Sequence, residues 1–458
     1  MGGRSTLAAM SSRDGLNAAP ALSRKLGLFG GTMAVIGGIV GAGIFINSYL
    51  VAQRVHTAPL ILLAWVVGGL IALAGGAIYA ELAARMPVVG GQYAYLRDAL
   101  HPAIGFVYGW VLLLVIQTGG MAAVAIIFAR YLSEISQWGV PESLVAALTL
   151  AILTAINCLG VKAGSGVQSF ATLAAICAII VLEVLCLVRW SSSQLNWAPV
   201  LDHAASLGFL GRFGAALTPV LFAYGGWQTS TFLGGELRDP GKALPKALIL
   251  GVTVVIVLYT SVNLVYLHVL GVNGLQRTTT PASTAMLALC GPRCSRFIAA
   301  GVAFSAFGFL AQSILTAPRV YYAMARDGVF FRSVGWVNRQ THVPVIAIAV
   351  QGTLAIVIAL TGTYAQIVNY VVAVDCTFFG LTAACLFVVR TGSSERDVVF
   401  RVPGHPWTTL LFIGAEWAVV ASTAVNDPVR AGIGFGIALA GLPAYLIWNS
   451  TRQSRLSR

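Results

Sequence analysis

The feature that most constrains this chain is a succession of apolar runs of about 20 residues, separated by short segments rich in Gly, Pro and charge. In helical form such a run crosses the roughly 30 Å hydrocarbon core of a bilayer. Runs of this kind lie near 26–50, 59–84, 104–132, 144–160, 167–188, 213–235, 244–270, 297–324, 343–360, 367–389, 410–425 and 433–448. Of the residues, 58% are hydrophobic and only 9% charged, whereas a soluble domain carries about 25% charge. No soluble fold could cover that much apolar surface, so the expected class is an all-α integral membrane protein with twelve transmembrane helices.

The net charge of +13 would suggest nucleic acid in a soluble chain, but Lys and Arg here sit between apolar runs and form no basic domain. They orient the chain instead. With the amino terminus inside, the inner segments hold 20 of the 28 Lys and Arg, including Arg85, Arg97, Lys162, Arg390 and Arg401. Both termini are then cytoplasmic, in the cell membrane. The expected organisation is a disordered tail at 1–25, five spans in 26–190, five in 191–390, two in 391–450, and a second tail at 451–458. The seven cysteines suggest no disulfide framework, since Cys158, Cys177, Cys186, Cys376 and Cys385 fall in or beside apolar runs. Only Cys290 and Cys294 share a loop.

Two spans are interrupted. The first reads GTMAVIGGIVGAGIFI, with Gly37, Gly38, Gly41 and Gly43 where a helix middle belongs, and the sixth reads LTPVLFAYGGWQTSTFLGGE, with Gly225-Gly226 at similar depth. Each Gly costs a helix interior about 1 kcal/mol against Ala, so both runs read as local breaks. Gly-interrupted segments at matching positions of two repeats point to a transporter's binding site. Broken backbone survives in a membrane only where protein buries it or a wet cavity takes it. Main-chain N–H groups of Gly41, Ala42 and Gly43, at the positive end of the outer half-helix, suit a carboxylate. Carbonyls of Ile39, Phe222, Ala223 and Gly225, with Tyr224 between them, suit an ammonium. Together they would hold the zwitterionic head of an α-amino acid without costly buried charge. Gly37-x-x-x-Gly41 is also a helix-packing motif, and the paired break in the sixth span weighs against packing alone.

At these residues the sequence resembles the amino acid, polyamine and organocation transporter superfamily, above all bacterial relatives of its L-type and serine/threonine exchanger branch. The resemblance runs through GIVGAGIFI (38–46), YAELAARMPVVGGQYAYLRDALHP (79–102), FAYGGWQTSTFLGGELRDPGKALPKA (222–247) and APRVYYAMARDGVFFRSVGWVNRQTHVPV (317–345). It implies five plus five inverted repeats with two further helices, and an amino acid substrate. The family's carboxylate segment falls on Gly41, Ala42 and Gly43, its amine-binding carbonyls on Ile39, Phe222 and Gly225, and its aromatic gate on Phe222, for which simple packing is the alternative. Where many relatives carry a lysine in the fifth span this chain has Ala175, and where sodium-coupled relatives place a hydroxyl pair it reads Thr316-Ala317-Pro318. Neither a lysine-based charge mechanism nor sodium coupling is implied. The segment SEISQWGVPES (133–143) lacks the cysteine that links some relatives to a heavy chain, so no disulfide-linked partner is expected.

Asp375 and Glu183 are carboxylates within apolar runs and are functional candidates on that ground. Glu183 lies near an outer end, where a solvated role is the alternative. The stretch containing Glu236, Arg238, Asp239, Lys242 and Lys246 could pair with Arg85 or Arg97 in a gate, or serve orientation alone. The six histidines show no metal spacing, there is no CxxC, and GQYAYLRDALH does not follow a strand as a nucleotide loop would. No catalytic residue, metal or cofactor is expected. The leading expectation is a carrier of neutral L-α-amino acids by exchange or facilitated uptake. Alternatives are a cationic amino acid or polyamine carrier, and a non-transporting amino acid sensor.

Overall fold

In a computed structural model, the described residues are 27–86, 91–160, 165–189, 195–201, 207–228, 240–331, 333–338, 341, 343–392 and 400–456. They form helices joined by short connections, and no strand occurs among them. Among the described residues, eight helices are long and apolar enough to cross a membrane, and four shorter apolar helices accompany them.

The first run is broken into α1 (Leu28–Ile39), a 3-10 turn (Ala42–Phe45) and α2 (Asn47–Ala52). Then come α3 (Ala58–Arg85), the short polar α4 (Gln92–Ala99), α5 (Pro102–Val111) and α6 (Gln117–Ser136), the last two continuous through a π turn at Leu112–Ile116. After these lie α7 (Glu142–Cys158), α8 (Ser165–Val188) and α9 (Leu207–Tyr224). The chain resumes with α10 (Pro240–Arg277), α11 (Pro281–Cys290), α12 (Pro292–Thr316), α13 (Pro318–Arg326) and α14 (Val345–Thr361), and ends with α15 (Tyr364–Gly392), α16 (Trp407–Asn426) and α17 (Pro428–Leu456).

Helix pairs α3–α10, α6–α12, α7–α14, α1–α10, α3–α9, α6–α14 and α7–α12 pack against one another. Small residues on α3 permit close approach of its neighbours. A Cβ on Gly69 would lie 2.9 Å from the Tyr224 hydroxyl, and one on Gly75 would lie 2.8 Å from the Trp227 ring. Helices α16 and α17 lie outermost, leaving Leu411, Leu439, Leu446 and Ile447 exposed. On these helices the apolar face has no protein to cover it, as lipid contact requires.

Several details depart from the sequence reading. The run at 297–324 is two helices, because Pro318 lacks the N–H that would continue α12 and instead starts α13. Helix α10 turns sharply at Gly271, whose φ is +64°. Helices α4 and α11 were not anticipated, and Cys290 and Cys294 form a disulfide between α11 and α12. The tail 1–25 and Glu236, Arg238 and Asp239 lie outside the described residues.

Candidate functional site

Both predicted breaks are present, and they touch. Helix α1 stops at Ile39, and Val40 and Gly41 are extended (ψ 90° and −157°) before the 3-10 turn begins. Helix α9 stops at Tyr224, Gly225 donates to the Phe222 carbonyl at 3.3 Å, and Gly226 takes φ +106°. Only glycine adopts that conformation readily. A Cβ at Gly226 would collide with the carbonyl oxygen of Gly38 and lie 2.8 Å from its carbonyl carbon. At the other crossing, a Cβ on Gly43 would sit 3.1 Å from the Cα of Ala223. Each break therefore needs a missing side chain on itself to admit the backbone of the other.

Ile39, Ala42, Ala223 and Tyr224 are at most 3% exposed, Gly41 and Gly43 are buried, and Phe222 and Gly225 are half-buried. The Tyr224 ring packs in a cluster with Trp65 and Tyr259, at centroid distances of 5.9 and 5.1 Å. The Phe222 ring meets Tyr364 edge-on at 6.3 Å, and the Phe309 ring lies 3.5 Å from the Cβ position of Gly41.

The unwound region differs from the expected half-helix in one respect. Its outer part is a four-residue 3-10 turn followed by the six-residue α2, too short for much helix dipole. The favourable groups for an anion are thus the individual N–H groups of Gly41, Ala42 and Gly43, which precede any intrahelical partner, that of Gly41 also meeting the Tyr259 hydroxyl.

Sequence reasoning missed the residues that fix the breaks. From α10, the Tyr259 hydroxyl reaches the carbonyl oxygens of Ile39 (3.1 Å) and Ala223 (3.4 Å), one from each break. Each carbonyl keeps a second lone pair for another donor. From α6, Tyr131 donates to the Phe45 carbonyl at 2.5 Å, and from α15, Tyr364 donates to the side chain of Asn47 at 2.7 Å. Nothing local marks these tyrosines, since their partners lie 36 to 317 residues away.

The other candidates fall elsewhere. Ala175 is fully buried on α8, and the neighbouring Thr172 packs against Gly37 of α1. Glu183 is half-buried and accepts a hydrogen bond from Ser261 of α10 at 2.5 Å, so it faces a helix rather than only solvent. Asp375 is half-buried on α15. Glu81, fully buried on α3, accepts from Arg85 at 2.7 Å, from Arg390 at 2.9 and 2.6 Å, and from the Val402 N–H at 2.6 Å. Arg97 pairs with Asp98 and Asp327. A buried carboxylate with two guanidinium partners and a backbone donor has the compensation that burial of its charge demands.

A model of the family described as amino acid permease matches residues 26–447. The chain is 30% identical to the serine/threonine exchanger SteT of Bacillus subtilis (strain 168) over 428 residues, covering 93% of this chain and 96% of that protein. It is 29% identical to the cystine/glutamate transporter of Homo sapiens over 444 residues, covering 93% and 86%. It is 28% identical to the large neutral amino acids transporter small subunit 2 of Mus musculus over 436 residues, covering 93% and 81%.

Proposed function

Because this chain belongs to the amino acid permease family, a family of multi-pass membrane transporters and not of enzymes, we propose that its two touching helix breaks seat the head of an L-α-amino acid. The carboxylate lies on the N–H groups of Gly41, Ala42 and Gly43. The ammonium lies on carbonyls of Ile39, Phe222, Ala223 and Gly225, and Phe222 closes over it. The observation that carries this reading is the mutual contact of the breaks, Gly226 on Gly38 and Gly43 on Ala223. It brings freed donors of one helix next to freed acceptors of the other. Main-chain dipoles solvate a zwitterion at mid-depth without placing full charges there.

A neutral substrate is favoured because the described part of both breaks is lined by no acidic side chain that would meet a second ammonium. Exchange or facilitated uptake follows from the same seat. The carrier works by alternating access, and no disulfide-linked heavy chain is required. The twelve-span inverted repeat draws support from packing that obeys the exchange of halves. The second, third and fourth spans meet the seventh, eighth and ninth (α3–α10, α6–α12, α7–α14), and the third–ninth contact (α6–α14) is matched by fourth–eighth (α7–α12). In the cell membrane the termini face the cytoplasm. The Cys290–Cys294 disulfide fits that orientation, because it lies at a connection assigned to the outside, where disulfides persist.

Counterflow into proteoliposomes against a panel of serine, leucine, arginine and putrescine, with and without proton and sodium gradients, tests the proposal. Neutral amino acids are expected to exchange without either gradient. Uptake of only arginine or putrescine would favour a cationic carrier using Asp375 or Glu183, and binding without flux would favour a sensor.

A further inference from the structure

One polar side chain beside the breaks is not used by the backbone seat. Asn47 opens α2, one residue past the end of the unwound turn at Ile46, and is 0% exposed. Its Oδ1 accepts the Tyr364 hydroxyl at 2.7 Å. In this arrangement the oxygen is held toward α15 and the nitrogen faces the unwound turn. Nδ2 faces Gly43, lying 3.4 Å from the position a Cβ there would take, and it has no hydrogen-bond partner among the described residues. A buried donor with no acceptor is unfavourable and rare in folded proteins, so its retention at a site points to an acceptor that arrives from outside.

This orphaned donor faces Gly43, one of the three residues assigned to the substrate carboxylate. A carboxylate has about four acceptor positions on two oxygens, more than the N–H groups of one short turn can fill. A bond from a neutral amide to a carboxylate is charge-assisted and adds no charge to the membrane interior. We propose that Asn47 Nδ2 is a further donor to the substrate carboxylate, and that Tyr364 is a positioning residue that holds the amide for it. The Tyr364 ring also stands edge-on to Phe222, so the residue that aims the donor touches the aromatic that closes the seat. This assignment rests on the reading that the breaks hold an amino acid.

The carboxylate is common to every substrate, so the test is uniformity across side chains. In proteoliposomes, Asn47→Ala is expected to raise KM for every transported amino acid by the same factor, about tenfold or more. The order of preference among side chains is unchanged. Tyr364→Phe, which leaves the amide in place but unheld, is expected to raise KM by a smaller uniform factor with Vmax retained. Thermal unfolding of both variants without substrate guards against a folding defect. An unchanged KM with reduced Vmax or reduced stability would make the pair structural and overturn the proposal. A reordered preference would place Asn47 at the substrate's side chain and overturn it as well. If the unaltered protein neither exchanges nor is stabilised by any amino acid, the seat itself is wrong, a result separable from failure of the Asn47 assignment alone.

Discussion

Replacing Gly226 by alanine tests the contact on which the site depends. At φ +106° a side chain is strained by about 1–3 kcal/mol. The added methyl would overlap the Gly38 carbonyl, far inside the 3.0 Å that real Cβ atoms keep from other atoms. Because the obstacle is backbone, no rotamer relieves it, and the ends of α1 and α9 must separate. Overpacking of this kind costs about another 1–3 kcal/mol. The sum, about 2–6 kcal/mol, is large against the few kcal/mol by which a transporter's conformations differ. Gly226→Ala is therefore expected to abolish exchange and lower the unfolding temperature in detergent. Gly120→Ala provides the control, since it lies within α6 with nothing within 4 Å of its Cβ position, and it should be neutral or stabilising by up to about 1 kcal/mol. Both would be measured by counterflow at matched protein density and by thermal unfolding. Normal exchange and unchanged unfolding in Gly226→Ala would refute the argument, because the breaks would not be meeting as described.

Gly43→Val, with branching at a position 3.1 Å from the Ala223 Cα, should eliminate uptake while the protein still inserts in normal amounts, as blotting of membranes would report. Tyr259→Phe removes the hydroxyl that reaches Ile39 and Ala223, and the loss of about 1 kcal/mol should appear as roughly a fivefold fall in substrate affinity in binding titrations. Glu81→Gln leaves Arg85 and Arg390 facing a neutral amide and should destabilise the fold by about 3 kcal/mol, read as a lower unfolding temperature. In a variant whose only cysteines are Cys290 and Cys294, a membrane-impermeant maleimide should label intact cells only after reduction. Labelling confined to inside-out vesicles would reverse the orientation.

The breaks were legible in the sequence because glycine clustering is a local signal, and a helix that loses four side chains in seven residues advertises its interruption. The partners that make them a site were not. Tyr259, Tyr131, Asn47 and Tyr364 lie in ordinary apolar or loop-adjacent stretches, and their roles exist only once α2, α6, α10 and α15 converge. Helices α4 and α11 escaped notice because eight and ten residues are too few to show a span. Pro318 was readable as a helix start, but the apolar and aromatic residues interleaved with arginine in PRVYYAMAR extend the apolar run past it and mask the boundary between α12 and α13. The long pairing of Glu81 with Arg390, 309 residues apart, likewise had no local mark beyond an acid at the end of an apolar run.

The most direct measurement is an experimental structure with a transported amino acid bound. The account predicts the carboxylate within about 3.2 Å of the N–H groups of Gly41, Ala42 and Gly43, and the ammonium within the same reach of the Ile39, Phe222, Ala223 or Gly225 carbonyls. An amino acid whose head is held by charged side chains, at Asp375 or anywhere else away from both interruptions, would contradict it.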